Sequence, residues 1–176
     1  PMPCLMNPAV MEKIVRDFRR WKKGKYPENS VYLRLCCNDT GKWCACEKCR
    51  ALMAPERGQT GFASDYWWTF VNKLAGEVLR DPLVSLDAFV YRNYQDFPVK
   101  VKPLKASRLN VILCPHGRCY THALRDTRCP VNGKCLAMFN VWIRYGMPIN
   151  TFEYHNQTPG RCNYAFWERA WIEDVM

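Results

Sequence analysis

The feature that most restricts the possible folds of this chain is a set of four short apolar segments. The stretches between them are long enough to hold helices. Each segment is rich in Val, Leu or Ile and is bounded by Pro or polar residues, which is typical of strands. They cover residues 31–37, 84–91, 109–114 and 149–154. Long helical connections are what parallel strands need. The alternation therefore predicts an α/β fold with mainly parallel strands.

The clearest helix is predicted near the N-terminus. Asn7 suits an N-cap, Pro8 suits the first helical position, and Gly24 suits the C-terminal end. A second helix is expected from Ser64 and a third around residues 136–143. Four tryptophans at helical spacing are assigned to the core, namely Trp67, Trp68, Trp142 and Trp171.

The net charge of +10 raises the question of a nucleic-acid partner. The densest basic group lies within the first helix, whose apolar residues recur every three or four positions. We therefore interpret the cations as a solvated helix face, which disfavours a nucleic-acid partner. The apolar runs are far shorter than the ~20 residues needed to cross a bilayer, so no membrane span is predicted. Residues 1–4 also lack the charged and apolar pattern of a secretory signal.

Polar and aromatic side chains follow every predicted strand. They lie at residues 38–39, 91–94, 114–116 and 153–155. In barrels and open sheets of the α/β class, the functional site lies at the carboxyl ends of the strands. We therefore predict a binding site there, with six candidate substrate contacts: Asn38, Trp43, Tyr91, Asn93, His116 and Tyr154.

Two of these strand-end residues, Asp39 and Glu153, are candidate catalytic carboxylates. Glycoside hydrolysis uses one carboxyl group to protonate the leaving oxygen and another as nucleophile or base. Each residue also has a plainer interpretation. Asp39 suits a turn in which it bonds its own backbone, and Glu153 suits a partner for Arg or Tyr.

Eleven cysteines form two groups in the sequence, apart from Cys4 and Cys162. In the first, Cys44, Cys46 and Cys49, with Cys37 as the fourth thiolate, match the ligand type of a structural zinc site. The second group is Cys114, His116, Cys119, His122, Cys129 and Cys135. The spacing alone is compatible with metal ligands, with disulfides and with free thiols. Because the number of cysteines is odd, at least one is unpaired within the chain.

Residues 37–52, 70–75 and the Cys/His segment 114–132 resemble bacterial proteins of domain of unknown function 4838. The resemblance implies a glycoside-hydrolase-like (β/α) barrel akin to α-glucuronidase and hexosaminidase barrels, a glycan or oligosaccharide partner, and secretion or display at the cell surface. Asp39 matches the family's Asn-Asp turn, and Cys44, Cys46 and Cys49 match its cysteine loop. Glu153 stands where an Asp commonly precedes Tyr.

A complete (β/α) barrel needs ~250 residues, so four strands in 176 residues are expected to form its C-terminal half. We treat residues 1–176 as one domain of the partial TIM-barrel type, completed by an N-terminal half-barrel or a second copy. The predicted function is a carbohydrate-active domain, with glycoside hydrolysis by the strand-end carboxylates. The alternatives are a non-catalytic glycan-binding domain and a zinc-stabilised module that binds nucleic acid or protein.

Overall fold

The computed structural model describes residues 2–37 and 41–153, which form a four-stranded sheet with α-helices before the first strand, between the first and second, and between the third and fourth. The second and third strands are joined by a loop that holds one 3-10 turn, where the sequence pattern predicted a helical connection. The strands are β1 (Val31–Leu35), β2 (Val84–Val90), β3 (Leu109–Leu113) and β4 (Ile149–Thr151). The helices are α1 (Pro8–Lys25), α2 (Glu47–Arg50), α3 (Gly58–Gly61), α4 (Ser64–Val78) and α5 (Pro130–Tyr145). Two short 3-10 turns cover Pro55–Arg57 and Arg92–Tyr94.

All neighbouring strands pair in parallel, in the order β1-β2-β3-β4. The register places Leu33 beside Leu86, Ala88 beside Val111, and Val111 beside Ile149. The predicted α/β class and the parallel pairing are confirmed. Every predicted strand is present at its expected start, and each ends at least one residue earlier than predicted.

One face of the sheet forms the core by packing against α4. Leu86, Leu109 and Val111 from the strands are fully buried. Burial of a large apolar side chain stabilises a fold by about 1.5–3 kcal/mol, so this layer dominates the stability of the domain. The predicted core positions of Trp67, Trp68 and Trp142 are confirmed, since none is more than 2% exposed. Trp171 lies outside the described residues.

The opposite face of the sheet is more polar. Tyr32 is 63% exposed, and the Arg34 side chain is 73% exposed. Asp87 lies between two neighbouring strands: its Oδ2 is 3.5 Å from Arg34 Nε, and its Oδ1 accepts a hydrogen bond of 2.8 Å from Asn110 Nδ2. This face is therefore open over β1 in the described part of the chain.

Helix α1 begins as predicted, because Asn7 Oδ1 accepts a hydrogen bond from the Ala9 N–H at 3.0 Å. It ends one residue beyond Gly24, and Tyr26 N–H donates to the Lys22 carbonyl. Lys22 was expected on the solvated face and is instead buried, because its Nζ lies 3.1 Å from Asp81 Oδ2 just after α4. Within the described residues, no helix is both long and apolar enough to cross a bilayer.

Candidate functional site

A cavity of about 750 Å³ lies at the carboxyl ends of β2 and β3. Tyr91 and Asn93, which follow β2, line it together with His116, which follows β3. The three residues converge because parallel neighbouring strands end at the same edge of the sheet. We call this space the strand-end cavity.

The loop after β2 is firmly attached to the rest of the domain. Ala63 N–H donates to the Asn93 carbonyl at 2.6 Å, and Gln95 N–H donates to the Thr60 carbonyl at 2.9 Å. On the other side, Cys37 N–H donates to the Tyr94 hydroxyl at 3.2 Å. These bonds hold one wall of the strand-end cavity in place before any ligand arrives.

Arg92 adopts a strained backbone conformation on this wall. Its φ of 45° is positive, which among the described residues other than glycine occurs here alone. Such a conformation costs on the order of 1 kcal/mol and is concentrated at functional sites. The Arg92 guanidinium carbon lies 5.2 Å from the centroid of the Tyr91 ring, and the His116 ring meets the same tyrosine edge-on at 5.6 Å.

The chain after the predicted Asn38-Asp39 turn also reaches this cavity. Gly41 lines the cavity wall. A Cβ at this position would lie 3.3 Å from Asn93 Nδ2, and the φ of 61° would strain any other residue. Gly41 therefore permits a close approach between the two loops. Asn38 and Asp39 themselves lie outside the described residues.

Glu153, the second predicted carboxylate, lies just after β4 and has two partners. Its Oε1 is 3.5 Å from Arg118 Nη1, and its Oε2 accepts a hydrogen bond of 3.0 Å from the Tyr120 hydroxyl. Arg118 is itself buried and lies over the Tyr120 ring. Glu153 is therefore held against the loop that joins β3 to α5, as its plainer interpretation predicts.

Four thiols converge beside α2. The sulfur atoms of Cys4, Cys44, Cys46 and Cys49 all lie within 4.8 Å of one another. Zinc–sulfur bonds of about 2.3 Å in a tetrahedron separate sulfurs by roughly 3.8 Å. The Cys4 sulfur is 3.5 Å from that of Cys49 and 3.9 Å from that of Cys46. This arrangement, the four-thiol cluster, could hold a metal ion.

The thiols of the four-thiol cluster have unequal acidity. A hydrogen bond from the Cys49 backbone, followed by bonds from neighbouring thiols, lowers the pKa of Cys46 to about 7. Burial raises the pKa of Cys49 to about 12. A bound cation would favour the thiolate at every position, because it attracts the charged form.

Comparison with known proteins gives one family. The family described as Domain of unknown function (DUF4838) matches residues 1–162 of the 176. The chain belongs to this family. No curated protein and no solved structure matches it. Since the description of the DUF4838 domain names no activity, its chemistry has to be argued from its residues.

The fourth thiol of the cluster in this DUF4838 domain is Cys4, whereas the sequence suggested Cys37. Cys37 is buried at the end of β1, where burial raises the pKa of its thiol far above the ordinary value. Cys4 enters from the N-terminal segment, which is anchored by the Leu5 N–H donating to the Tyr66 hydroxyl at 3.1 Å. No spacing pattern connects Cys4 with a loop 40 residues away.

Trp43, a predicted substrate contact, packs between two tyrosines. Its ring meets Tyr66 and Tyr94 edge-on, at centroid distances of 5.4 Å and 5.7 Å. It thereby connects the four-thiol cluster to the loop after β2. Tyr154, the remaining predicted contact, lies outside the described residues.

Several residues of the strand-end cavity were missing from the sequence-based assignment. They are chiefly polar: Arg92, Gln59, Thr60 and Gln95. Gln59 and Thr60 belong to α3, which follows the cysteine-rich loop. Arg92 and Gln95 carry a local signal, since Arg92 lies within the polar segment 91–94 and Gln95 follows it. Helix α3 has no such signal and reaches the cavity through tertiary packing.

Proposed function

We propose that this DUF4838 domain is carbohydrate-active and binds a glycan or oligosaccharide in the strand-end cavity. The observation that carries the proposal is the convergence of Tyr91, Asn93 and His116 on one cavity at the carboxyl ends of parallel strands. The cavity volume of about 750 Å³ falls within the usual range for small-molecule sites, roughly 300–1,000 Å³.

The lining suits a sugar in its chemistry. Sugar hydroxyls donate and accept hydrogen bonds, and the amides of Asn93 and Gln95 do both. The guanidinium of Arg92 donates only. The ring of Tyr91 supplies an apolar surface with a polar tip. Because the loop after β2 is already held in place, less conformational entropy is lost when a ligand binds.

The hydrolytic form of the proposal uses Asp39 and Glu153 as the acid/base pair. Asp39 precedes the cavity-lining Gly41 by two positions, which supports a role near the bound sugar. The bonds from Arg118 and Tyr120 would hold the Glu153 carboxylate in one orientation. The same bonds favour the second candidate, a glycan-binding domain without catalysis, if they occupy Glu153 permanently.

The strand arrangement supports a partial-barrel architecture. In a (β/α) barrel each strand pairs with its sequence neighbours, as the order β1-β2-β3-β4 does here. We propose that an N-terminal half-barrel or a second copy of the chain covers the open face around Tyr32 and Arg34. Secretion or display at the cell surface belongs to the same proposal, because it would bring the domain to polymeric glycans.

We further propose structural zinc in the four-thiol cluster. Four closely placed cysteine thiols are the ligand set of closed structural zinc sites. The ion would tie the N-terminal segment carrying Cys4 to the loop carrying Cys44. Zinc binding at such a site contributes directly to the free energy of folding.

The test of glycan binding uses a glycan array, followed by titration with the best glycan. His116→Ala and Arg92→Gly should each weaken binding at least tenfold. Glycine at position 92 keeps the left-handed backbone while removing the side chain. Arg80→Ala, at an exposed arginine beside α4, is the matched control and should bind normally. Absence of binding to any glycan would overturn the proposal.

The test of hydrolysis uses a panel of nitrophenyl glycosides and the array-selected glycan. Asp39→Asn should reduce turnover by several orders of magnitude while binding is retained, and Glu153→Gln should do the same. Binding without turnover in the unmodified protein would favour the non-catalytic glycan-binding candidate. Salt-dependent binding to a polyanion, with no glycan binding, would favour the nucleic-acid module.

A further inference from the structure

We propose that Cys119, His122 and Cys129 form a second metal site, which binds a zinc-like divalent cation and leaves one coordination position open. The three residues lie on the loop between β3 and α5 and share no ligand with the four-thiol cluster. The two thiol sulfurs and one imidazole nitrogen all lie within 4.8 Å of one another.

The distances are close to those of a metal centre. Tetrahedral zinc with one sulfur and one nitrogen ligand separates the two by roughly 3.5 Å. Cys119 Sγ lies 3.1 Å from His122 Nδ1 in this structure. A movement of a few tenths of an ångström in flexible side chains would therefore admit the ion.

Asn132 fixes the backbone that carries two of the ligands. Its Oδ1 accepts a hydrogen bond from the Cys119 N–H at 2.9 Å, and its Nδ2 donates to the Cys119 and His122 carbonyls at 2.9 Å and 3.0 Å. The Asn132 side chain is fully buried in the first turn of α5. The Cys119–His122 turn is thus attached directly to the helix that begins at the third ligand.

Cys129 occupies the N-cap of α5, a helix of 16 residues. Its sulfur makes no capping hydrogen bond and lies within 4.8 Å of the other two ligand atoms. The positive end of a helix favours a thiolate over a thiol. Two thiolates and a neutral imidazole would balance the charge of a divalent ion, with two protons released on binding.

The ion would be reached from solvent on the His122 side, where that histidine is exposed. The Thr121 hydroxyl lies 2.9 Å from Cys119 Sγ and 3.2 Å from His122 Nδ1, so it can hydrogen-bond to a ligand in the fourth position. The nearby Asp126 carboxylate is held by Arg128 at 3.0 Å. Three protein ligands with an open fourth position are typical of zinc sites that bind water or substrate.

The test counts metal ions bound by the full chain after reduction and removal of metal. Native mass spectrometry with added Zn²⁺ should find two ions per chain. His122→Ala and Cys129→Ser should each lower the count by one relative to the unmodified protein, and Cys135→Ser, within α5 but outside the ligand set, should leave it unchanged. Because His122 is exposed, its replacement by alanine should disturb the fold little. Circular dichroism checks that each variant is folded. With Co²⁺ as probe, Cys129→Ser should lower the thiolate-to-cobalt absorption.

The same metal count in the unmodified protein, in His122→Ala and in Cys129→Ser would overturn the proposal, whatever the four-thiol cluster binds. A Cys119–Cys129 disulfide whose reduction yields no uptake at this loop would also overturn it. None of these readouts depends on glycan binding, so the metal site stands or fails separately from the proposed function.

Discussion

The side-chain amide of Asn132 pairs with the backbone of Cys119 in both directions. Its Oδ1 accepts from the Cys119 N–H and its Nδ2 donates to the Cys119 carbonyl, each at 2.9 Å. Nδ2 also lies 3.0 Å from the His122 carbonyl and 3.1 Å from that of Ala123. One buried side chain therefore organises the whole turn that precedes α5.

This pairing predicts that Asn132→Asp is more damaging than Asn132→Ala. Alanine leaves buried backbone groups unpaired, at a cost of about 2–3 kcal/mol in the free energy of unfolding. Aspartate adds a carboxylate oxygen facing three carbonyls, which repels them. Urea unfolding measures both variants, with Asn140→Asp on the exposed side of α5 as the control. Equal effects at positions 132 and 140 would contradict this account.

The four-thiol cluster predicts which cysteines determine metal binding. Cys4→Ser should weaken Zn²⁺ binding at this cluster at least tenfold, because a thiolate ligand is replaced by a poorly ligating hydroxyl. Cys37→Ala should leave that affinity unchanged, since Cys37 lies apart from the four sulfurs. Competition with a chromogenic chelator measures both. Weaker Zn²⁺ binding in Cys37→Ala, with unchanged binding in Cys4→Ser, would identify Cys37 as the fourth ligand.

The buried carboxylate of Asp65 predicts a second stability effect. Its Oδ1 accepts hydrogen bonds from three consecutive backbone N–H groups, at Val99, Lys100 and Val101. Asp65→Ala leaves these donors unpaired and should cost about 3 kcal/mol. Asp65→Asn keeps an oxygen acceptor and should cost less. Thermal or urea unfolding measures the stability of both variants. A larger loss of stability in Asp65→Asn than in Asp65→Ala would contradict the prediction.

The ion pair between Lys22 and Asp81 predicts a pH-dependent contribution to the free energy of unfolding. A hydrogen bond from the Leu83 N–H, followed by one from Lys22, lowers the pKa of Asp81 below its ordinary value of 3.8. The stabilisation is therefore present above pH ~4 and is lost as the pH falls through the lowered pKa.

Because the Asp81 side chain is 40% exposed, solvent screening limits the effect of this pair. Asp81→Asn should lower the Tm by about 2–4 °C at pH 7. The difference from the unmodified protein should shrink below pH ~4. Glu28→Gln, at an exposed carboxylate, is the control. A difference that stays constant between pH 7 and pH 3 would argue against the ion pair.

The secondary structure was largely predictable because its signals are local. The cap at Asn7, the apolar strand segments and the tryptophan spacing all depend on neighbours within a few residues. Strand ends were predicted less well, since a strand ends where its partner stops pairing. The buried position of Lys22 was missed for a related reason: its partner Asp81 lies 59 positions later.

Sequence patterns alone were enough to predict the α/β class, the parallel sheet, the three clustered thiols from Cys44 to Cys49, and the position of Tyr91, Asn93 and His116 after strand ends. Only the tertiary structure placed Cys4 with those thiols and added α3 to the cavity wall. It alone put Asn132 beneath the Cys119–His122 turn. The physical reason is that periodicity and capping act along the chain, whereas ligand sets and cavity walls depend on distant segments brought together by sheet pairing and core packing.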